Sequence, residues 1–212
     1  MNVYLTQALI PAEVVVRAGM KDSYDWHQAV WKAFPGRDGQ TRDFLTRVDQ
    51  KDCHYRLLIV SPAEPKRPDW LPDGPEAWQT KPIPPDYFQY RRYRFQLRAN
   101  PTKKVTAFGP DGQPKKNSRR VPLVKREDLV DWLKRKGEAA GFVPDEKSLR
   151  VLSGGRESFA KQGAQGTHSS VDYEGVLTVT DQVRFHEAFG KGIGSAKGFG
   201  FGLLVIAPLQ GA

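Results

Sequence analysis

The stretch FLTRVDQKDCHYRLLI, residues 44–59, places apolar or β-branched side chains at alternate positions on both sides of a polar centre. The alternating residues are Phe44, Thr46 and Val48, and then Tyr55, Leu57 and Ile59. Successive side chains of a strand point to opposite faces, so each set predicts one face of a strand. The polar residues 49–52 predict the turn between them, and the whole stretch predicts a β-hairpin.

Two further elements are predicted before this hairpin. An apolar run over residues 3–10 predicts a strand. Asp22 or Ser23 can cap a helix that continues to about Phe34, where Pro35-Gly36 would stop it. The order strand, helix, strand, strand is three quarters of a ferredoxin-like βαββαβ unit.

Proline interrupts the chain after the hairpin. Residues 62–85 contain eight of the 16 prolines, which disfavours regular structure in this segment. A domain junction is therefore predicted near its end. It divides the chain into an N-terminal domain of residues 1–88 and a C-terminal domain of residues 89–212.

The second half is predicted to repeat the element order of the first. Tyr93, Phe95 and Leu97 alternate with arginines and predict a strand with one apolar and one basic face. A helix near residues 129–137, strands at 149–152 and 171–179, a helix at 181–189 and a strand at 203–207 follow. The predicted fold class is α+β, with tandem ferredoxin-like (βαββαβ, RRM-like) domains.

Positive charge is concentrated in one stretch. Residues 91–136 contain 15 lysines and arginines against 4 carboxylates, a net charge of +11, whereas the rest of the chain has a net charge of −2. A turn at Gly109-Pro110-Asp111-Gly112 predicts a basic hairpin or loop over residues 101–121. Unpaired like charges favour a polyanionic partner, so nucleic acid is the predicted ligand. A membrane surface is disfavoured, because this stretch has no amphipathic helical pattern.

Composition narrows the class of protein further. Cys53 is the only cysteine of the 212 residues, which excludes an internal disulfide framework and fits a reducing cytoplasm. No apolar run is long enough to cross a bilayer. The four histidines, at positions 27, 54, 168 and 186, have no metal-ligand spacing, so neither a metal nor a cofactor is predicted. His168 is predicted to lie in a polar loop.

Residues 190–202, GKGIGSAKGFGFG, are rich in glycine. A dinucleotide-binding loop follows a strand and opens a helix, but here a predicted helix precedes and a strand follows. The Gly-Lys-Ser/Thr ending of a Walker loop is not present. The similarity of KGFGF to the RNA-recognition-motif signature fails at Gly202 and Leu204. Two interpretations remain: a loop whose backbone and lysines approach phosphates, or a turn that lets the last strand pack.

One pair of residues on the first helix can transfer protons. Trp26, Ala29 and Val30 share its apolar face, whereas Tyr24 and His27 lie about 60° apart, off that face. Imidazole titrates near neutral pH, and a phenol can orient a substrate or donate a proton. The spacing alone favours a second interpretation, two half-exposed side chains that flank a core.

Several motifs in order resemble the CasE family, the CRISPR repeat-cleaving endoribonucleases of the type I-E Cascade complex. They are YDWHQAVWKAFP at 24–35, RDFL at 42–45, LRANP at 97–101, RVPL at 120–123, YEGVL at 173–177 and GIGSAKG at 192–198 with GLL at 202–204. They span nearly the whole chain, and residues 62–85 match least. The resemblance implies tandem ferredoxin-like domains and metal-independent cleavage at the base of the repeat stem-loop. The 2′-hydroxyl would attack, leaving a 2′,3′-cyclic phosphate and a 5′-hydroxyl.

The resemblance also assigns residues. His27 and Tyr24 match the catalytic pair, with His27 most simply the base at the 2′-hydroxyl and Tyr24 assisting the leaving oxygen; the reverse remains open. The candidate cations for the phosphorane are Lys32, Arg37, Lys161 and Lys197. The predicted RNA-binding residues are Arg98, Lys103, Lys104, Lys115, Lys116, Arg119, Arg120, Arg156, Lys161, Lys191 and Lys197. The implied partners are the CRISPR repeat RNA stem-loop and other Cascade subunits. The alternatives are a non-catalytic subunit that binds structured RNA and a basic scaffold for any nucleic acid.

Overall fold

The structure, a computed structural model, describes residues 2–37, 39–74, 77–106, 113, 119–161 and 164–209. For residues 119, 160, 161, 164 and 165 it describes only the backbone. Residues 109–112, 115 and 116, which include the predicted turn and two of the predicted RNA-binding lysines, lie outside the described residues. The fold combines α-helices with antiparallel β-sheets.

The first half of the chain forms a four-stranded sheet. Its strands are β1 (Tyr4–Pro11), β2 (Leu45–Lys51), β3 (His54–Ser61) and β4 (Gln79–Pro82). They pair in the order β2-β3-β1-β4, and every pair is antiparallel. Two helices, α1 (Ala12–Arg17) and α2 (Ser23–Trp31), lie between β1 and β2 in the chain. The predicted first strand, capped helix and hairpin are confirmed, and α1 is an addition too short for periodicity to reveal.

The hairpin turn lies at Asp52 and Cys53 rather than at residues 49–52. Lys51 still pairs with His54, and Asp52 adopts a φ of 48°. Asp49 belongs to β2, where its buried carboxylate accepts a hydrogen bond from Nε of Arg47 at 2.9 Å. An aspartate that commonly marks a turn is here a strand residue, because the guanidinium compensates its burial.

Strand β3 is buried on both faces, which the alternating pattern alone did not predict. Leu57 and Ile59 belong to a core under α2, together with Val30 and Phe44. Leu58 and Val60 point the other way and belong to the core of the second half of the chain. The hairpin is therefore the layer through which the two halves pack together.

The proline-rich segment contains no helix or strand in residues 62–74 and residues 77 and 78. It returns along the end of α2, where the backbone N–H of Lys66 donates to the carbonyl of Ala33 at 2.8 Å. Regular structure resumes within the predicted junction, in β4 and in a 3₁₀ turn at Pro85–Phe88. β4 tolerates Pro82 because that residue ends a strand at the edge of the sheet.

The second half forms a five-stranded sheet and a separate two-stranded one. Its elements are β5 (Arg92–Ala99), β6 (Thr102–Val105), β7 (Arg119–Pro122), α3 (Arg126–Ala139), β8 (Phe142–Pro144), β9 (Arg150–Lys161), β10 (Ala164–Val179), α4 (Gln182–Lys191) and β11 (Leu204–Pro208). The larger sheet has the order β11-β5-β10-β8, and β9 also pairs with β10. β6 and β7 form the two-stranded sheet, which is the base of the predicted basic hairpin.

Helix α3 continues beyond Gly137, where the sequence predicts its end. Gly137 is buried, and a Cβ at this position would lie 2.7 Å from the carbonyl oxygen of Phe142. The glycine therefore permits close packing of α3 against β8 rather than ending the helix.

Strands β9 and β10 are much longer than predicted, with 12 and 16 residues. Ser153, Gly154 and Gly155 are exposed in β9, so no buried face imposes an alternating pattern there. His168 lies in β10, opposite Glu157, and the prediction of a polar loop at this residue is wrong.

Candidate functional site

Helix α2 positions Tyr24 and His27 through its first turn. The Asp22 carboxylate accepts hydrogen bonds from the backbone N–H groups of Tyr24 at 2.8 Å and Asp25 at 3.1 Å. In return, Oδ2 of Asp25 accepts from the N–H of Asp22 at 3.3 Å, which completes a capping box. Ala29 and Val30 bury the opposite side of the helix. Residues three apart are neighbours on a helix surface, so the phenol and imidazole are presented together.

His27 is held by an aromatic neighbour on the same helix, Trp31. Nε1 of Trp31 donates to Nε2 of His27 at 3.1 Å. Indole N–H is only a donor, so Nε2 is the acceptor, and the neutral imidazole carries its proton on Nδ1. The Trp31 ring packs edge-on against the buried Phe44 at 4.9 Å between centroids. The imidazole thus has a defined tautomer and a rigid support.

The glycine-rich segment reaches His27 from the far end of the chain. Ala196 and Gly200 adopt left-handed conformations on either side of the 3₁₀ turn Lys197–Phe199. A Cβ on Gly198 would lie 3.8 Å from Cε1 of His27 and 3.9 Å from Nε of Arg42. A methyl group at this position would therefore make an ordinary van der Waals contact with the imidazole, and a larger side chain would enter the space beside His27.

Two cations flank this point. Nη1 of Arg42 donates to the carbonyl oxygen of Phe44. Nζ of Lys197 donates to the carbonyl of Lys191 at 2.7 Å. Burial lowers the pKa of Lys197, and the charges of Arg42 and Lys136 lower it further. Burial also lowers the pKa of Arg42. Positive charges held close together are favourable sites for an anion. Sequence reasoning missed Arg42 as a cation, and its only signal was its place in the RDFL motif.

The other predicted cations lie elsewhere. Lys32 is exposed at the end of α2. Arg37 pairs with Asp43 at 2.7 Å. Lys161 ends β9, and only its backbone is described. Among the candidates whose side chains the structure describes, Lys197 is the one that lies beside the glycine position next to His27.

A family model described as CRISPR associated protein matches residues 3–208. The chain belongs to this family. It is 32% identical over 207 residues to the CRISPR system Cascade subunit CasE of Escherichia coli strain K12, which covers 92% of this chain and 97% of the relative. It is 28% identical to the CRISPR-associated endoribonuclease Cse3 of Thermus thermophilus, over 97% and 100%. The resemblance to the CasE family is therefore confirmed.

Solved structures of this family have the same fold. The crystal structure of Cas6e from E. coli K-12 has a TM-score of 0.74 and 29% identity, and covers 97% of this chain and 100% of that one. A structure of T. thermophilus Cse3 bound to an RNA representing a pre-cleavage complex has a TM-score of 0.72 and 27% identity, over 98% and 100%. The similarity extends over both halves of the chain rather than one of them.

Arg98, a predicted RNA contact, instead pairs with other residues of the protein. Its Nε lies 3.1 Å from Oδ1 of Asp172, its Nη2 lies 3.4 Å from Oδ1 of Asp49, and its Nη1 donates to the carbonyl of Val48 at 2.9 Å. Burial opposes the charge of Arg98, but the hydrogen bond and charge of Asp172 raise its pKa overall. Arg98 therefore joins the two halves of this family member.

The remaining basic residues lie mainly on the two-stranded sheet and on β9. Lys103 and Lys104 are exposed on β6, where Lys104 lies opposite Arg120 of β7. Arg119 pairs with Val105 through the backbone, and its side chain is not described. Lys191 is exposed on α4 and pairs with Glu187 at 2.8 Å.

Arg120 and Arg156 meet at one cavity of about 500 Å³, although 35 positions separate them in the sequence. Ser195 of the glycine-rich segment and His168 also line it. His168 stacks on Phe159 at 4.7 Å, and burial lowers its pKa, which favours the neutral ring. Two guanidinium groups beside hydroxyl groups form a surface that suits phosphate.

Metal-ligating and membrane-spanning features are absent from the residues that the structure covers. They contain no group of three or more His, Cys, Asp or Glu side chains placed to hold a metal ion. Their helices are all too short or too polar to span a membrane.

Proposed function

We propose that this protein is a metal-independent endoribonuclease that cleaves CRISPR precursor RNA at the base of the repeat stem-loop. It then keeps the mature guide RNA as a subunit of a Cascade complex in the cytoplasm. The observation that carries this proposal is the placement of His27 between Trp31 and the backbone of Gly198, with Arg42 and Lys197 beside it. The relatives named CasE and Cse3, and the Cse3 structure with bound RNA, support the assignment.

In this proposal the fold consists of two ferredoxin-like units, residues 1–88 and 89–212. The support is a shared strand order. With β9 set aside, β4-β1-β3-β2 in one sheet and β11-β5-β10-β8 in the other both run fourth, first, third, second. The first unit replaces the helix between its last two strands with the proline-rich segment.

The proposed reaction is an internal transesterification. His27 accepts the proton of the 2′-hydroxyl through Nε2, which exchanges its hydrogen bond from Trp31 for one from the ribose. The bond from the 2′-oxygen to phosphorus forms as the bond from phosphorus to the 5′-oxygen breaks. Tyr24 donates its phenolic proton, or orients water that does so, to the leaving 5′-oxygen. The products are a 2′,3′-cyclic phosphate and a 5′-hydroxyl.

Arg42 and Lys197 are proposed to stabilise the extra negative charge on the phosphorane. Preorganised cations act most strongly where the charge develops and where water is partly excluded. Both groups are partly desolvated here, as the lowered pKa values of Arg42 and Lys197 indicate. Nε of Arg42 lies 3.9 Å from the position that a Cβ on Gly198 would take, and Lys197 is the residue before that glycine.

The stem is proposed to lie on the basic surface formed by the two-stranded sheet, β9 and the glycine-rich segment. The proposed contacts are Lys103, Lys104, Lys115, Lys116, Arg119, Arg120, Arg156, Lys161, Lys191 and Lys197. A-form RNA is recognised mainly through its shape, phosphates and 2′-hydroxyls, so exposed cations suit this task. Arg98 is proposed to hold this surface against the first half of the chain rather than to touch RNA.

The decisive experiment incubates the pure protein with end-labelled repeat RNA in excess EDTA. We expect cleavage with cyclic-phosphate ends, and His27→Ala should abolish cleavage while repeat RNA still binds within about threefold. The exposed His54, at the hairpin turn, supplies the matched control, and His54→Ala should cleave normally. Wild-type cleavage by His27→Ala, or a strict requirement for added Mg²⁺, would refute the mechanism. Binding without cleavage by the wild type would favour the alternative, a non-catalytic RNA-binding subunit.

A further inference from the structure

A second cavity, of about 880 Å³, lies beyond Trp31 at the C-terminal end of α2. Its described walls come only from residues 28–70: the end of α2, the loop after it and the proline-rich segment. Neither Tyr24 nor His27 is among them, so this cavity is distinct from the proposed catalytic pair. Small-molecule pockets typically measure about 300–1,000 Å³, so a nucleotide fits.

The charge of this cavity favours an anion. Its described lining contains four cations and one carboxylate, namely Lys32, Arg37, Lys66, Arg67 and Asp69. The two arginines pair with Asp43 and Asp73 outside the lining. The two lysines have no carboxylate within 4.0 Å among the residues that the structure describes. Two ammonium groups are therefore available to a phosphate.

Two indole rings add flat apolar surface to the same cavity. Trp31 and Trp70 are both half-buried and both line it. Nε1 of Trp70 donates to the carbonyl of Ala29 at 3.2 Å, and the backbone of Lys66 is tied to Ala33. Hydrogen bonds to the end of α2 thus fix the wall in place. Aromatic faces beside cations are the usual composition of sites for unpaired nucleotides.

Trp31 connects the cavity to the proposed cleavage site. The same indole that lines the cavity donates its N–H to His27. The Trp31 ring therefore lies between a phosphate bound at His27 and the cavity. The proposed stem-binding surface comes from the second half of the chain, whereas every described wall of this cavity comes from the first.

We propose that this cavity binds the unpaired nucleotides that flank the scissile phosphate on the side away from the stem. This inference rests on the proposed function. Bases stack on Trp31 and Trp70, and phosphates pair with Lys32 and Lys66. Trp31 and Lys32 come from the motif at residues 24–35, whereas Lys66 and Trp70 come from the proline-rich segment.

The test compares two non-cleavable RNAs, each with a 2′-deoxyribose at the cleavage position. One is the repeat stem-loop alone, and the other carries in addition the unpaired nucleotides beyond the scissile phosphate. The extension should tighten wild-type binding by about tenfold, as expected for stacking of one base with phosphate contacts. Lys32→Gln with Lys66→Gln should remove most of that gain and reduce the salt slope by about 1.4, because each single-strand phosphate contact contributes about 0.7.

The matched control replaces two exposed lysines of the first half that lie outside the cavity, Lys51→Gln with Lys81→Gln. This variant should keep the tenfold gain. An extension that adds no affinity, or a gain that survives in the Lys32 and Lys66 double variant, would overturn the inference even though the stem-loop still binds. Stem-loop binding no tighter than that of an unrelated duplex would instead overturn the proposed function.

Discussion

Trp31 donates its indole N–H to Nε2 of His27 at 3.1 Å, one helical turn along α2. The two rings meet edge to face, at 81° and 6.1 Å between centroids. This single contact selects the tautomer of the proposed catalytic group and places it beside the cavity that Trp31 and Trp70 line. It explains how a half-buried imidazole on an otherwise ordinary amphipathic helix acquires a defined orientation.

Trp31→Phe tests that contact. Phenylalanine keeps the packing against Phe44 but removes the donor, so the neutral His27 ring should populate both tautomers. Because the proposed reaction exchanges this hydrogen bond for one from the ribose, its loss should act only through the tautomer population, and cleavage should slow by less than about fivefold. Nitrogen NMR shifts of the His27 ring report the tautomer directly. Trp78→Phe, in the same core, is the control, and an unchanged tautomer in Trp31→Phe would contradict this role.

A size series at Gly198 tests the approach of the glycine-rich segment. A methyl group there would make ordinary contacts of 3.8 Å with His27 and 3.9 Å with Arg42, so Gly198→Ala should cleave nearly normally. Gly198→Leu would fill the space and should reduce cleavage by about a hundredfold, as displacement of reacting groups by an ångström does. Single-turnover rates at saturating protein measure this effect. Equal rates for the two variants would show that no substrate passes this point.

The ionisation of Asp49 makes the free energy of unfolding depend on pH. Burial opposes its ionisation, but hydrogen bonds from Arg56 and Arg47 and the charge of Arg98 lower the pKa of Asp49 overall. The unfolded chain then binds a proton at higher pH than the folded protein, so stability is lost as pH falls below the ordinary value of about 4. Thermal melting temperatures between about pH 3 and pH 6 should show this loss, and the slope should be smaller in Asp49→Asn.

The same substitution should cost about 3 kcal/mol at neutral pH, because it removes the nearer carboxylate of the buried Arg47 and leaves it only Asp172, at 3.7 Å. Asp131→Asn, on the exposed side of α3, is the matched control and should leave the melting curve nearly unchanged. A variant at Asp49 as stable as the wild type would contradict the structural role of this cluster.

Arg120 and Arg156 should contribute equally to stem binding. Each single change to Ala should reduce the slope of log affinity against log salt by about 0.9, the effect of one duplex phosphate contact. Titration of a non-cleavable stem-loop at several salt concentrations measures it. Arg17→Ala, an exposed arginine on α1, should leave the slope unchanged. A slope in either variant equal to that of the wild type would remove that arginine from the interface.

Local pattern predicted the elements that carry the proposed site but not all of their bounds. Helix α2 could be read from Asp22 and the apolar stripe, and β5 from the alternation of apolar residues with arginines. Three errors share one cause: the turn placed at Asp49, the helix end placed at Gly137 and the loop placed at His168. Each residue type was read by its common local role, whereas a partner on a neighbouring element, five to nine positions away in the sequence, decided its actual one.

The amino-acid sequence by itself determined the strand and helix order, the segregation of positive charge and the family resemblance, because these depend on residues within a few positions of one another. Only the tertiary structure decided that Gly198 and Arg42 stand beside His27, that Arg120 meets Arg156 and that Arg98 is already paired. Such contacts depend on how the two sheets pack through the buried faces of β3. The periodicity of the sequence within either half does not determine that packing.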